Sequence, residues 1–236
     1  MKMIVSILVA FSILFVCAIA YTSNFYHADM EAIEAYMPEY EPREHVFADG
    51  SIAYVPENAE IGIIFYPGGK VEHTAYIPLM KALSSRGIVT VLIKMPYNLA
   101  VLKEDAAEDV KEVYPYAERW FIGGHSLGGT MAASYAASNT DRFEGVILLG
   151  SYTNKSLVNK GLRVLSIYGT QDSIMNLSKY DKYRAKLPKG FDERIIEGAN
   201  HSGFGMYGLQ NGDTRGTLTA EEQIAKTADL IIEFTK

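Results

Sequence analysis

Residues 124–128, Gly124-His125-Ser126-Leu127-Gly128, form a G-x-S-x-G motif. The aromatic and β-branched run Arg119-Trp120-Phe121-Ile122 precedes it and predicts a buried strand, and residues 130–137 after it are rich in small helix formers. A strand, a sharp turn and a helix is the context that exposes a serine hydroxyl as a nucleophile. The two motif glycines remove side chains that would collide in the turn, and the helix N-terminus favours developing negative charge. The motif therefore predicts nucleophilic catalysis by Ser126.

The general base for such a serine is expected to be His201. Sites of this kind place their residues along the chain in the order nucleophile, carboxylate, histidine, and His201 is the one histidine that follows Ser126. It lies in the glycine-containing turn 197–203, just after the last predicted strand. The alternative is a loop histidine bonded to the backbone. His125 occupies an x position of the motif, so we expect its side chain to point away from the substrate.

The carboxylate that orients the histidine is expected to be Asp172. It follows a predicted strand in the turn Gly169-Thr170-Gln171-Asp172, whereas the other usual location, residues 151–154, holds no acid. Asp172 as a simple turn residue is the alternative, because turns favour aspartate. In the catalytic interpretation it holds the tautomer of His201 and stabilises the imidazolium without taking the proton.

Two backbone N–H groups should face the oxyanion of the reaction. One belongs to Leu127, the residue after the nucleophile, and the other should come from the loop Pro67-Gly68-Gly69-Lys70. We favour Gly69 as the donor, with Lys70 as the alternative. The non-catalytic interpretation is a plain Gly-Gly turn. The resulting chemistry is an acyl-enzyme on Ser126 that a water activated by His201 releases. It requires no metal and no organic cofactor.

Apolar runs alternate with helical segments along the chain, which predicts one α/β domain. Its sheet should be doubly wound and mostly parallel, with about seven or eight strands and helices on both faces. Two short runs joined by Asp49-Gly50 predict an additional hairpin. The predicted strands cover 45–47, 51–55, 61–66, 88–95, 119–123, 146–150, 163–169 and 193–197, and the predicted helices cover 29–37, 75–85, 100–113, 127–138, 177–187 and 220–235.

Ligands of doubly wound sheets bind at the carboxyl ends of the strands, where all the candidate residues should therefore lie. The connection 152–162 has eleven residues, too few for a helical lid, which predicts a minimal cap and an open site. The glycine-rich loop 203–218 either supplies a wall of the site or forms an ordered surface meander.

Composition limits the classes of partner. The 236 residues are 48% hydrophobic and carry a net charge of −6 without a basic run, so nucleic acid is not an expected partner. The single cysteine, Cys17, lies in the N-terminal apolar stretch, so a disulfide or a cysteine-based metal site is not expected in the remainder.

We divide the chain into an N-terminal targeting segment, residues 1–27, and a catalytic domain, residues 28–236. Residues 3–26 carry no charged side chain and 4–20 are nearly all apolar, long enough for a membrane anchor. A signal peptide cleaved after Ala18-Ile19-Ala20, a buried core helix and a lipoprotein signal at Cys17 are the alternatives. We favour the anchor. Either an anchor or a signal peptide places the domain beyond the cytoplasmic membrane, membrane-anchored or secreted.

The chain resembles the α/β-hydrolase superfamily, in particular single-domain proteins similar to dienelactone hydrolases, from about Asp29 to the C-terminus. The motifs that carry the resemblance are residues 65–71, 94–100, 123–129 and 200–205. The resemblance implies Ser126, Asp172 and His201 as a triad and, for bacterial proteins with this set, an N-terminal anchor. Dienelactone hydrolases use a cysteine nucleophile, and the usual His-Gly opening of the oxyanion loop is Pro67-Gly68 here.

The expected function is therefore that of a serine hydrolase acting on a carboxylic ester or related acyl bond of a small molecule. A ligand-binding, receptor-like protein that keeps the triad without turnover is one alternative. An acyltransferase that passes the acyl group to an alcohol is the other.

Overall fold

The computed structural model describes residues 11–12, 21–36 and 42–236. Its described strands form an eight-stranded sheet in the order β1-β2-β4-β3-β5-β6-β7-β8. β1 and β2 are antiparallel to their neighbours, while β3 to β8 pair in parallel. The strands are β1 Arg43–Val46, β2 Ile52–Val55, β3 Ile61–Tyr66, β4 Ile88–Leu92, β5 Arg119–His125, β6 Gly145–Leu149, β7 Arg163–Gly169 and β8 Asp192–Ile196.

Six complete α-helices accompany the sheet in the described part of the chain, where residues 11–12 and 21–23 are also helical. They are α1 Met30–Tyr36, α2 Ile77–Ser84, α3 Val110–Val113, α4 Leu127–Ser138, α5 Leu177–Arg184 and α6 Ala220–Thr235. Short 3₁₀ turns cover His73–Tyr76, Pro96–Asn98, Ala100–Leu102 and Ser202–Phe204.

The central strands are buried on both faces, which explains their near-continuous apolar sequences. Ile64 and Tyr66 of β3 belong to one core, which contains the apolar residues of α4. Ile63 and Phe65 alternate with them and belong to the opposite core, with residues of α2 and α6. The predicted doubly wound α/β architecture with helices on both faces is therefore confirmed, as is the Asp49-Gly50 hairpin between β1 and β2.

The helix predicted over residues 100–113 is wrong. In the structure only Ala100–Leu102 and Val110–Val113 are helical, and turns lie between them. The hydroxyl of Tyr66 donates to the carbonyl of Glu104 (2.8 Å) and accepts from the N–H of Ala107 (2.9 Å). These bonds satisfy backbone groups that a continuous helix would have paired internally, so tertiary contacts override the local preference for helix.

Residues 1–10 and 13–20 of the predicted targeting segment, which include Cys17, lie outside the described residues. No helix among residues 11–12, 21–36 and 42–236 combines the length and apolar character needed to cross a bilayer. The 152–162 connection contains neither helix nor strand, in agreement with the predicted minimal cap.

Candidate active site

Ser126 lies at the turn between β5 and α4, with φ 51° and ψ −121°. A non-glycine residue at positive φ is strained, and the surrounding backbone must hold it in place. Its N–H donates to the carbonyl of Leu149 (2.9 Å), and its own carbonyl accepts from the hydroxyl of Ser151 (2.7 Å) and the N–H of Thr130 (3.2 Å). The neighbouring strand and the first turn of α4 thus fix the conformation that exposes the Ser126 side chain.

The motif glycines are required by close backbone contacts. A Cβ at Gly124 would lie 2.7 Å from the carbonyl carbon of Gly128, and a Cβ at Gly128 would overlap the carbonyl oxygen of Pro67. A side chain at Gly124 would push α4 away from β5, and one at Gly128 would push α4 away from Tyr66 and Pro67 at the end of β3. The predicted collision within the turn is therefore observed for Gly124, whereas Gly128 is required by the close approach of α4 to the end of β3.

Asp172 and His201 lie together at the carboxyl ends of β7 and β8. The carboxylate Oδ2 is 2.8 Å from Nδ1 of His201, and each side chain is 1% exposed. The other oxygen, Oδ1, accepts the N–H groups of Ile174 (2.9 Å) and Met175 (2.8 Å), which fix the carboxylate plane. With Nδ1–H donating to Asp172, the neutral imidazole presents Nε2 as a proton acceptor.

Nε2 of His201 is buried and makes no hydrogen bond within the described part of the protein. The structure therefore brings Asp172 and His201 into contact but does not form the bond between Ser126 and His201. Bonds of this kind often tighten only when substrate binds. The imidazole nevertheless lies close to the serine backbone, because it packs against Gly150, which follows the Leu149 carbonyl that holds Ser126.

Gly150, at the end of β6, is a site residue that the sequence analysis missed. It has φ +51°, and a Cβ there would lie 3.0 Å from Nδ1 of His201 and 3.2 Å from Oδ2 of Asp172. A side chain would therefore press on the carboxylate–imidazole pair. The available signal was a glycine at the end of a predicted strand that neighbours the nucleophile strand.

The loop after β3 leaves one N–H group for an oxyanion. Pro67 has no N–H, that of Gly68 donates to the hydroxyl of Tyr76 (3.1 Å), and that of Lys70 donates to the carbonyl of Asn98 (2.8 Å). Within the described residues, the N–H of Gly69 makes no hydrogen bond. Of the two donors that the sequence left open, Lys70 is therefore engaged and Gly69 is free.

Gly69 and Leu127 are neighbours. A Cβ at Gly69 would lie 2.8 Å from Cδ2 of Leu127, so these two residues are packed together beside Ser126. The N–H of Leu127 is at the first position of α4, where a helix supplies no internal acceptor. Two backbone donors thus border the serine, as stabilisation of an oxyanion requires.

A cavity of about 200 Å³ lies over Ser126. Its wall is partly apolar, from Val71, Leu99 and Leu127, and Gln210 of the 203–218 loop closes one side. The full lining is Tyr21, Gly68, Gly69, Lys70, Val71, Leu99, His125, Ser126, Leu127 and Gln210. The 203–218 loop therefore contributes a wall residue.

The 203–218 loop is ordered by Asp213. One carboxylate oxygen accepts the N–H (2.8 Å) and hydroxyl (2.7 Å) of Ser202, and the other accepts the N–H groups of Ser173 (3.2 Å) and Thr214 (3.0 Å). Ser202 follows His201 directly, and Ser173 follows Asp172. The carboxylate of Asp213 thereby ties together the two loops that hold the Asp172–His201 pair.

His125 does not face solvent; it packs beneath the site. Its ring centre is 4.4 Å from that of His201, and its Nδ1 is 2.8 Å from the hydroxyl of Tyr76. Burial, reinforced by the neighbouring His201, holds the pKa of His125 well below its usual value. Two imidazolium charges at this separation would repel by roughly 4 kcal/mol at an effective dielectric constant of about 20. A neutral His125 therefore adds no positive charge beside the ring of His201.

Within the described residues, no group of three or more His, Cys, Asp or Glu side chains is arranged to hold a metal ion.

The strained serine, the buried carboxylate–histidine pair and the doubly wound sheet together define an α/β-hydrolase type of protein. The family model described as "Alpha/beta hydrolase family" matches residues 62–225, and the chain belongs to this family. Family membership supports a hydrolase as the general class of protein. A comparison with curated proteins gave no match.

Solved structures show the same fold at low sequence identity. TT1662 from Thermus thermophilus has a TM-score of 0.61 and 16% identity, over 84% of this chain and 99% of its own. A dienelactone hydrolase from Anabaena variabilis has a TM-score of 0.60 and 15% identity, over 84% and 100%. A predicted CIB-like hydrolase from Thermoplasma acidophilum has a TM-score of 0.56 and 17% identity, over 82% and 99%. At these identities the similarity concerns the fold.

Proposed function

We propose that the protein is a serine hydrolase that cleaves a carboxylic ester or a related acyl bond of a small molecule. The observation that carries the proposal is the buried 2.8 Å hydrogen bond between Asp172 and His201 beside a serine held at positive φ. Burial strengthens this pair, because water competes little for either group. An exposed turn aspartate and an exposed loop histidine would not need such an arrangement.

In the proposed reaction, Nε2 of His201 takes the hydroxyl proton of Ser126 while Oγ attacks the substrate carbonyl carbon. The carbonyl oxygen becomes an oxyanion that accepts hydrogen bonds from the N–H groups of Gly69 and Leu127. Collapse of the tetrahedral intermediate breaks the ester C–O bond, and His201 donates its proton to the departing alcohol. The serine ester that remains is the acyl-enzyme.

Deacylation repeats the sequence with water. His201 removes a proton from the water as its oxygen attacks the acyl carbon, and the same two N–H groups bind the second oxyanion. Breakage of the Ser126 ester returns the proton to Oγ and releases the acid. Asp172 stays ionised throughout and stabilises the imidazolium that forms twice in each cycle.

A fluorophosphonate probe tests the proposal directly, because it reacts only with an activated serine. We expect the wild-type protein to be labelled on Ser126, as located by peptide mass spectrometry, and Ser126→Ala to be unlabelled. Ser156→Ala removes an exposed serine of the 152–162 connection and serves as the matched control with full labelling. A folded wild-type protein that stays unlabelled beside a reactive control esterase would overturn the assignment.

One observation favours the non-hydrolytic alternative, a ligand-binding protein: Nε2 of His201 makes no bond to Ser126 in this structure. That alternative predicts ligand binding that is unchanged in Ser126→Ala and no burst of product. A series of p-nitrophenyl esters of increasing acyl length, with and without an added alcohol, separates the outcomes. Turnover in water alone supports the hydrolase, whereas product formation that depends on the alcohol indicates the acyltransferase.

We also propose that residues 1–27 anchor the domain at the outer side of the cytoplasmic membrane. The support is the uncharged run 3–26, followed by acidic residues at 29, 31 and 34. Fractionation of cells expressing the full chain, with protease added to spheroplasts, tests it. Full-length protein in the membrane fraction that is digested from outside agrees with the proposal, and protein in the soluble cytoplasmic fraction contradicts it.

A further inference from the structure

A chain of hydrogen bonds runs beneath the site and is not used by the proposed reaction. The N–H of Gly68 donates to the hydroxyl oxygen of Tyr76 (3.1 Å), and the same hydroxyl lies 2.8 Å from Nδ1 of His125. Tyr76 is fully buried, and His125 is 0% exposed. Hydrogen bonds in such surroundings are costly to leave unmade.

An amide N–H cannot accept, so Gly68 donates to the Tyr76 oxygen. We assign the Tyr76 proton to Nδ1 of His125, the other atom within hydrogen-bond distance of this hydroxyl. Burial raises the pKa of Tyr76 and lowers that of His125, so both groups keep the neutral forms that this arrangement needs. His125 then carries its proton on Nε2.

We propose that Tyr76 is a positioning residue for the oxyanion loop, acting through His125 as its fixed acceptor. Binding the Gly68 N–H at Tyr76 holds the loop so that the next N–H, that of Gly69, stays beside Leu127 and Ser126. His125 is the residue before Ser126, so the chain connects the oxyanion donor to the nucleophile strand. The inference rests on the proposed function, because it concerns an oxyanion formed at Ser126.

The loop has two holding points, one on each side of Gly69. Gly68 is held by Tyr76, and the N–H of Lys70 donates to the carbonyl of Asn98 (2.8 Å). A Cβ at Gly68 would lie 2.7 Å from Nδ1 of His125 and 2.8 Å from the Tyr76 hydroxyl, so the backbone is in direct contact with both rings. Loss of the Tyr76 hydroxyl leaves Gly68 and His125 without their partners and frees one side of the loop.

Tyr66→Phe is the matched control for Tyr76→Phe. The Tyr66 hydroxyl is also buried, accepts a backbone N–H from Ala107 (2.9 Å) and donates to Glu104 (2.8 Å), but it holds the 104–107 turns on the other face of the sheet. Each substitution removes one buried hydroxyl group that takes part in two hydrogen bonds. Similar losses of thermal stability are therefore expected.

The two variants should differ in catalysis. With p-nitrophenyl acetate, we expect kcat of Tyr76→Phe to fall about 10- to 100-fold, with KM within twofold of wild type, since a misplaced donor weakens only the transition state. The inhibition constant of a trifluoromethyl ketone, whose serine adduct is an oxyanion, should rise by the same factor. Tyr66→Phe should keep kcat and the inhibition constant within about twofold of wild type.

Variants of His125 test the second half of the chain. His125→Asn retains an acceptor for the Tyr76 hydroxyl and should keep most of kcat, whereas His125→Leu retains none and should behave like Tyr76→Phe. This comparison also applies if Tyr76→Phe does not fold. Equal kcat values for Tyr76→Phe and Tyr66→Phe, or equal loss in both His125 variants, would overturn the inference while leaving the hydrolase intact. Absence of fluorophosphonate labelling in the wild-type protein would overturn both.

A second inference rests on a different observation, the charge in the cavity over Ser126. Among the described residues that line the cavity, Lys70 is the one Lys, Arg, Asp or Glu, and it makes no ion pair with a described residue. Its Nζ lies 4.4 Å from the ring centre of Tyr21, which lines the same cavity. An ammonium without a carboxylate partner attracts an anionic ligand.

We infer that the substrate is an acyl compound with a negatively charged group near the scissile bond, bound by Lys70. The inference rests on the proposed function and specifies the class of substrate that the proposed hydrolase would take. The chain as a whole carries a net charge of −6, so the local positive charge is opposite in sign to the average surface.

Two esters of similar length provide the test, anionic mono-p-nitrophenyl succinate and neutral p-nitrophenyl valerate. We expect wild type to prefer the succinate at least tenfold in kcat/KM, and Lys70→Met, which keeps the stem without the charge, to lose that preference. Lys103→Met, which removes an exposed lysine paired with Asp49, should keep it. A preference for the valerate, or a preference for the succinate that Lys70→Met does not change, would overturn this inference. Hydrolysis of neither ester, together with no labelling of Ser126, would overturn the proposed function.

Discussion

At the amino ends of β3, β4 and β5 lies a cavity of about 1100 Å³, whereas the cavity over Ser126 at the opposite edge measures about 200 Å³. The larger one is lined by Arg43, Glu57, Glu60 and Glu118, all exposed. Asp172 and His201 at the carboxyl edge are each 1% exposed and bonded to one another. Charged side chains that are surrounded by water, as at the amino edge, are usually not functional. Buried and paired titratable groups, as at the carboxyl edge, are typical of functional sites.

The hydrogen bonding of polar groups also differs between the two edges. At the amino edge, the N–H groups of Glu118 (2.9 Å) and Arg119 (3.1 Å) both donate to the carbonyl of Glu60. At the carboxyl edge, the N–H of Gly69 makes no bond within the described residues, and neither does Nε2 of His201. Unpaired polar atoms at the sheet edge that holds a strained serine indicate the functional edge better than cavity volume does.

The largest expected difference between the two edges is in the effect on kcat of removing one carboxylate. Asp172→Asn should lower kcat for p-nitrophenyl acetate by about 10⁴-fold, because the amide no longer holds His201 in the required tautomer or stabilises its charge. Glu118→Gln removes a carboxylate at the amino edge and should leave kcat within about twofold, since its side chain is exposed. Comparable losses in the two variants would remove the distinction between the edges.

A methyl group added to a glycine at each edge should have a smaller effect. Gly69→Ala places a Cβ 2.8 Å from Cδ2 of Leu127 and should displace the free N–H, with a loss of roughly 10²-fold in kcat. Gly87→Ala at the amino edge meets nothing within 4 Å but has φ +87°. It should cost about 1–2 kcal/mol in the free energy of unfolding, measured in urea, and leave kcat unchanged. Full activity of Gly69→Ala would contradict its role as oxyanion donor.

The features that sequence could predict are those set by local pattern. The apolar runs gave strands β3 and β7 at their observed bounds, and α4 and α6 also begin and end where predicted. The sharp turn at Ser126 follows from glycines two residues on either side. The order of the motifs predicts Asp172 and His201 at the same edge, because parallel strands end together.

The features that sequence could not predict depend on distant partners. The N–H of Lys70 donates to the carbonyl of Asn98, a contact that residues 67–70 alone do not predict. The 100–113 segment fails to form one helix because the Tyr66 hydroxyl binds its backbone. Contact of Tyr76 with His125 joins residues 49 positions apart, so no local pattern reports it.

The smallest predicted effect concerns stability and follows from burial of an imidazole at the carboxyl edge. The pKa of His125 is held well below its usual value by burial and by His201, so the folded protein keeps it neutral in mild acid. The unfolded chain protonates the same residue near pH 6.5. Below that pH the unfolded state binds the extra proton, and the free energy of unfolding should fall as the pH falls, by about 1.4 kcal/mol per pH unit from this residue.

Urea unfolding between pH 7.5 and pH 5.0 measures this slope. His125→Asn should reduce it by that amount below pH 6.5, whereas Ser126→Ala keeps both imidazoles and should keep the wild-type slope. His73, whose pKa burial also lowers, adds a contribution of the same sign, so the slope of His125→Asn should not vanish. An unchanged slope in His125→Asn would show that the folded protein accommodates a protonated His125. The carboxyl edge would then not exclude charge more strongly than the solvated amino edge.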